Sequence, residues 1–325
     1  MASALESSNR GVRPRDNPAL AAVCACLAVL CASIMDAGMK SMSTRYPVHE
    51  LMVLRALAAA PFLSFLAWRE AGPRMFRPPR YPAIALRGSV MCSAYTSYVM
   101  AIAAMPLADT AAIYFTMPLF VAALAGITLG ERVPLHRIVA ILVGFAGTVL
   151  TIRPRGDVFE PAALLALYAA FGYAIGQLLA RSLGAQVTPG VLAFHQNVIY
   201  LVLALVMAAI LSGVSSASGM HPSLAFLTRS WAAPRAADLA FVLLMGPLVT
   251  SSMYLFSLAY RLGQASFVAP FEYSAIFWAA TFGILFWGDI PSVAVLIGGA
   301  MVASAGIYML QRDARQRLDR NQTRA

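Results

Sequence analysis

Residues 83–104 read AIALRGSVMCSAYTSYVMAIAA, Met105-Pro106-Leu107 follows, and residues 108–129 read ADTAAIYFTMPLFVAALAGITL. Each flank is a 22-residue run with a single charge, Arg87 in the first and Asp109 in the second. The apolar residues form blocks rather than the period-2 or period-3.6 stripe of a half-buried element. About 20 such residues, rising 1.5 Å each, cross the roughly 30 Å hydrocarbon layer of a bilayer as one helix. A helix is required because hydrocarbon offers no partner to a backbone N–H or C=O, so the segment must satisfy its own. The three-residue link leaves room only for a reversal, which makes the two helices antiparallel neighbours.

The same reading extends over the whole chain of 325 residues, which is 60% hydrophobic and 12% charged, with mean hydropathy +0.72. A water-soluble domain carries roughly 25% charged residues, so this chain has too little polar surface to coat a soluble globule. Ten apolar blocks are expected, at 18–39, 47–68, 83–104, 108–129, 135–153, 161–181, 189–212, 237–260, 265–287 and 291–310, with prolines such as Pro47, Pro82, Pro106, Pro134, Pro161, Pro189 and Pro291 at their junctions. The polar, basic residues 1–17 precede the first block, which is expected to be a permanent helix rather than a removed signal.

The net charge of +10 suits nucleic acid in a soluble protein, but here the arginines lie in loops and tails, where they set topology. With the first residues inside, Arg10, Arg13, Arg15, the even-numbered connections and the 311–325 tail place sixteen arginines on one side. Arg45, Arg153, Arg155, Arg229 and Arg235 are the five on the other. That asymmetry predicts both termini in the cytoplasm and an even number of spans. Cys24, Cys26, Cys31 and Cys92 lie inside apolar blocks at no metal-site spacing and read as small core residues.

The two halves share a register. Glu131 follows Leu129-Gly130 at the end of the fourth block, and Asp289 follows Trp287-Gly288 at the end of the ninth, 158 residues later; Gly147 and Gly306 are 159 apart. Five spans per half means that the second copy enters the membrane from the opposite side. The expected fold is therefore an all-α polytopic membrane protein, ten transmembrane helices in two inverted five-helix repeats, residues 18–153 and 161–310. Inverted repeats of this kind are a hallmark of secondary carriers.

Ala112 through Pro118-Leu119-Phe120 to Leu129-Gly130-Glu131 and Gly144-Phe145-Ala146-Gly147, with Ala269-Pro270-Phe271-Glu272-Tyr273, Phe286-Trp287-Gly288-Asp289-Ile290-Pro291 and Ile297-Gly298 in the second half, resemble the drug/metabolite transporter superfamily, EamA-domain type. The likeness covers residues 18–310. Met35-Asp36 with Lys40, His49-Glu50 with Arg55, Leu86-Arg87-Gly88 and the Ala-Pro-Phe-Glu-Tyr run look most like the branch holding bacterial S-adenosylmethionine uptake transporters. Asp289 departs from the family's usual Glu. The resemblance implies a central cavity between the halves that holds the solute.

An ionisable side chain inside the bilayer costs about 2.5–3.5 kcal/mol on insertion scales, so each is a candidate for function unless it is paired or near an interface. Asp36 and Lys40, four residues apart, share one helix face and are expected to pair with each other or to contact solute. Arg55 lies about eight residues into the second block, with Glu50 or Asp36 as its partner or solute in their place. Arg87 is near enough to its block's start to snorkel outward. Glu272 follows Pro270, deep in the ninth block, where a carboxylate needs a cation: an arginine, a proton or a solute amine. Tyr95, Tyr98, Tyr114, Tyr168, Tyr173, Tyr254 and Tyr273 are intramembrane phenols suited to a ligand cavity or to packing. Gln177, His195, Gln196 and Asn197 are read as hydrogen bonds between helices, with a proton relay the lesser reading of His195.

The site expected to bind solute is thus Asp36, Arg55, Arg87, Tyr95, Tyr114, Tyr254, Glu272 and Tyr273. The chain lacks a His-Glu-x-x-His, a P-loop and a Gly-x-Ser-x-Gly motif. The expected activity is movement of a small organic metabolite, an S-adenosylmethionine-like solute or an amino acid, across the inner membrane by alternating access. An intramembrane enzyme or receptor-like subunit is the alternative of another class. Expected partners are the solute, the lipid bilayer, a proton or exchanged solute, and a second copy of the chain in a homodimer. Cofactors, metals and nucleic acid are not expected.

Overall fold

The computed structural model describes residues 18–128, 135–152, 160–183, 186–212, 214, 219–262 and 271–322. The motif residues Gly130, Glu131, Ala269 and Pro270 lie outside them, as do Arg10, Arg13, Arg15, Arg132, Arg153, Arg155 and Arg324. Its helices are α1 (Pro18–Met42), α2 (Val48–Ala71), α3 (Tyr81–Ala104), α4 (Leu107–Tyr114), α5 (Met117–Thr128), α6 (Leu135–Ile152), α7 (Ala162–Leu183), α8 (Pro189–Leu211), α9 (Pro222–Thr228), α10 (Ala236–Leu262), α11 (Ser274–Trp287) and α12 (Val293–Gln322). A 3-10 turn, Gly72–Phe76, follows α2. The protein is all-helical among the described residues. Five segments have the length and composition to cross a membrane: Ala19–Met42, Val48–Phe76, Ala162–Ala180, Pro189–Leu211 and Ala236–Phe256. Shorter apolar helical segments accompany them at Leu107–Val121, which runs through α4 into α5, and at Ile138–Thr151, Ser274–Trp287 and Val293–Tyr308.

The bundle's outer surface is apolar. Leu142, Ile210, Leu243, Phe277 and Leu285 stand exposed on four different helices, which in water would be one aggregation-prone face after another and in hydrocarbon is the ordinary exterior. The interior holds Met35, Met39, Leu51, Met52, Tyr46, Val99, Ile102, Met245 and Val249 in one large core cluster.

Three features depart from the blocks read in the sequence. The fourth block is not one continuous helix: α4 ends at Tyr114 and α5 starts at Met117. Pro118 has no N–H for the Tyr114 carbonyl four residues back, and the Thr116 hydroxyl instead bonds the Ile113 carbonyl at 2.7 Å. The connection after the seventh block carries the short helix α9, whose Phe226 is buried in the main core. The last helix continues past residue 310 to Gln322 instead of ending at a span boundary.

Helices cross closely where glycine leaves room. α6 and α12 pack together, and a Cβ added to Gly147 would meet the Gly298 carbonyl at 2.7 Å. On α10, a Cβ at Gly246 would collide with the Ala58 backbone of α2. Further contacts join α3 to α7 and α8, α1 to α10 and α11, α2 to α8 and α10, α5 to α7, and α4 to α11.

Candidate functional site

A cavity of about 310 Å3 opens where α1, α2, α3, α7, α8 and α10 meet. Its walls are helix faces, legible in their spacing. Arg87, Met91, Ala94, Tyr95 and Tyr98 descend α3 at three- and four-residue steps, so they line one stripe. Tyr173 and Gln177 stand one turn apart on α7, as do Gln196 and Tyr200 on α8. Ala32 and Met35 of α1, Arg55 of α2 and Tyr114 at the end of α4 complete the first half's share. From α10 come Leu248, Val249, Ser252 and Met253. A volume in the range of small-molecule sites, walls mostly of apolar and aromatic side chains, and a few convergent polar groups are what a site for a small organic ligand needs.

Arg55 does not form an ion pair with Glu50 or Asp36. Its guanidinium lies 4.6 Å from the Tyr95 ring centroid and 5.6 Å from that of Tyr200, and the two rings stack at 5.9 Å. The Glu50 carboxylate turns away to accept the Ala232 amide at 3.1 Å. Arg87 does not snorkel. It is only 8% exposed, its Nε donates to the Gly176 carbonyl at 3.2 Å and its Nη1 to Gln196 Oε1 at 2.5 Å. Gln196 in turn donates to the Tyr200 hydroxyl at 3.2 Å, which donates to the Met91 carbonyl at 2.8 Å. A continuous polar chain therefore runs from Arg87 to the ring beneath Arg55.

The expected Asp36–Lys40 pair is absent, because both side chains find partners on other helices. Asp36 accepts from the Tyr98 hydroxyl at 2.9 Å, and the Tyr98 ring packs 4.7 Å from Tyr114. Lys40 donates to the Met105 carbonyl at 2.6 Å and to Asp289 Oδ2 at 3.3 Å, and lies 5.1 Å over the Trp287 ring. Local geometry makes this reach. Pro106 ends α3 and exposes the Met105 carbonyl, while Gly288, at φ 70°, turns the chain after α11 so that the Asp289 amide bonds back to the Gly283 carbonyl.

Of the remaining candidates, Tyr254 is 56% exposed on α10 and stands outside the cavity wall; its neighbours Ser252 and Met253 line it instead. Tyr273 is buried against Phe115, at 5.3 Å between rings, and against Gly306, where an added Cβ would meet its hydroxyl. Glu272 lies close enough to Tyr114, Tyr173 and Tyr273 to act on them through space, although it is not part of the cavity wall. His195 is anchored to the Met75 carbonyl at 2.7 Å and Asn197 to the Ala56 carbonyl at 2.9 Å, as ties between helices. Tyr200 was not among the residues expected from sequence, yet its place one turn beyond Gln196 puts it on the same polar stripe.

Residues 19–153 match the EamA-like transporter family. Over these residues the chain is similar to transporters of the drug/metabolite type. A riboflavin transporter of Rhizobium johnstonii is 29% identical over 68% of this chain and 67% of its own length. An S-adenosylmethionine uptake transporter of Rickettsia bellii is 22% identical over 87% of this chain and 91% of its own. A pseudopaline exporter of Pseudomonas aeruginosa is 26% identical over 88% of this chain and 94% of its own. A solved crystal structure superposes with a TM-score of 0.60 over 93% of this chain and 99% of that one, at 18% identity, and shares the fold. These relatives are named as transporters of small metabolites, not as enzymes.

Proposed function

We propose that this EamA-type protein is a ten-span secondary carrier of the inner membrane, built from two inverted five-helix repeats at 18–153 and 161–310, with both termini cytoplasmic. It moves a small organic metabolite by alternating access, driven by exchange or by a proton. The observation that carries the reading is the cavity itself, walled by α1, α2, α3 and α4 from one half and by α7, α8 and α10 from the other. The contact pattern adds support. With α4 and α5 taken together as the fourth span, α1 touches α10 as α7 touches α3, and α2 touches α10 as α8 touches α3. The pairs α2–α8, α4–α11 and α6–α12 map onto themselves. Exchanging each span with the one five later thus pairs off the most extensive contacts, as a two-fold axis between duplicated units would.

In this orientation Lys40, Asp289, Met105 and Trp287 all lie at the outer side. The Lys40–Asp289 ion pair joins the first half to the second, the Lys40–Met105 hydrogen bond stays within the first, and the state is read as closed there. S-adenosylmethionine-like solutes, by the name of a relative, and amino acids, by the polar groups of the cavity, are the first candidates. Glu272, beside Tyr114 and Tyr173, is the first acid to test for proton coupling. Purified protein in liposomes loaded with unlabelled metabolite should accumulate the same labelled metabolite by saturable counterflow. Glu272→Gln should leave insertion intact and abolish or uncouple that flux. Product formation without flux would replace the carrier with an enzyme.

A further inference from the structure

Two buried donors on adjoining cavity residues have no acceptor. Arg55 Nε and Tyr95 Oη are both enclosed and both unpartnered, and both residues line the cavity. Stacking does not satisfy them. A guanidinium over a ring gains from the ring's negative face, but that contact is not a hydrogen bond, and the group has five N–H donors and accepts nothing. Asp36 acts on Arg55 through space, but its Oδ2 is held by Tyr98 and makes no hydrogen bond to Arg55. Leaving a buried cationic donor unmade costs more than leaving a neutral one, so its natural complement is an oxygen of opposite charge.

We infer that the solute carries an acidic group, a carboxylate, which binds across Arg55 Nε and Tyr95 Oη while the rest of the molecule lies among Tyr98, Tyr114, Tyr173 and Tyr200. The Arg55–carboxylate contact is the strong, geometrically selective kind, because a planar guanidinium matches two oxygens at once. Arg87 does not compete for this role, since two of its N–H groups are already spent on Gly176 and Gln196. It serves as a fixed positive wall that keeps the cavity attractive to anions. This inference rests on the carrier reading for its use of the word solute, but the site stands on the two donors alone.

The test uses matched pairs that differ in charge and little else: nicotinate with nicotinamide, indole-3-acetate with indole-3-acetamide, and riboflavin 5′-phosphate with riboflavin. Binding is read from the thermal shift of the full-length protein in detergent, and transport from counterflow in liposomes. The expected result is that a carboxylate stabilises the protein more than its amide. Arg55→Gln should weaken that binding by at least about tenfold, and Tyr95→Phe, which removes only the hydroxyl and keeps the ring, by about tenfold. Arg55→Lys, which keeps the charge and loses the fork, should recover only part of it. No preference for acid over amide in any pair overturns the assignment, as does a preference that survives Tyr95→Phe and Arg55→Gln together. A preference confined to the phosphate pair replaces the carboxylate with a phosphate ester and overturns the stated class. Counterflow of a neutral member without acid preference sinks the anion site and leaves the carrier intact; acid binding without flux in any pair does the reverse.

Discussion

The Lys40 ammonium is held by one carbonyl and one carboxylate, and its side chain is 11% exposed against 29% for Asp289. An ion pair this enclosed differs from a surface pair, which is worth little, because removing one partner strands the other charge in a poor solvent. Asp289→Asn is expected to destabilise by about 1–3 kcal/mol, and Lys40→Met by a similar amount. The double variant should cost much less than the sum, since each single change already breaks the pair. A double-mutant cycle on unfolding in detergent measures the coupling; strictly additive effects would show that the two side chains do not interact in the membrane. The reading of residues one helix at a time explains why this pair was missed. Periodicity places Asp36 and Lys40 on the same face and says nothing of Tyr98 and Asp289, which arrive from elsewhere in the bundle. Arg55, Arg87 and Tyr95 were legible as candidates because any charge or phenol inside an apolar block stands out. Which of them would be satisfied by protein and which left open was not.

At the scale of the helix, the blocks were legible because lipid forces every backbone group to find its partner within the segment. The interruptions were not. The Tyr114–Met117 break depends on a proline and a threonine whose joint effect has no periodicity, and α9 is too short to signal itself. Close crossings are a further consequence of packing. Gly88 and Gly246 are 158 residues apart, the same offset that relates Glu131 to Asp289, yet their neighbours differ. A Cβ on Gly246 meets the Ala58 carbonyl group and the Ala59 amide, which are backbone. A Cβ on Gly88 meets the side chain of Ile199, chiefly its terminal methyl. A methyl can turn aside and a backbone cannot, so Gly246→Ala should destabilise by about 1–3 kcal/mol, in the range of overpacked cores, while Gly88→Ala should cost under half as much. Apparent melting temperatures of the two variants, taken side by side in one detergent, check this. Equal tolerance at both positions would mean that α2 and α10 are not in contact at Gly246.

The whole molecule raises one requirement that no single residue carries. Two copies of a unit with an odd number of spans must lie in opposite orientations, and an even total returns the chain to its starting side. Under the proposed duplication three positions are tied together: both termini on one face, and the link between halves, near Asp157, on the other. The arginine asymmetry favours the termini inside, where anionic lipid and the insertion machinery retain positive loops. Alkaline phosphatase, active only outside the inner membrane, should be silent when fused after Ala325 and active when fused after Asp157; a cytoplasm-dependent fluorescent reporter should give the reverse. The same reporters on a chain lacking residues 18–42 test the physical cause. With one span gone, the arginine-rich connections must either cross the membrane or force a neighbouring helix out of it, so the Ala325 fusion should become mixed or fail to accumulate. Reporters that place Ala325 and Asp157 on one side in the intact protein would leave the second half with an even number of spans. The two halves could not then be inverted copies, and no exchange of equivalent packings would be available to open the cavity first to one side and then to the other.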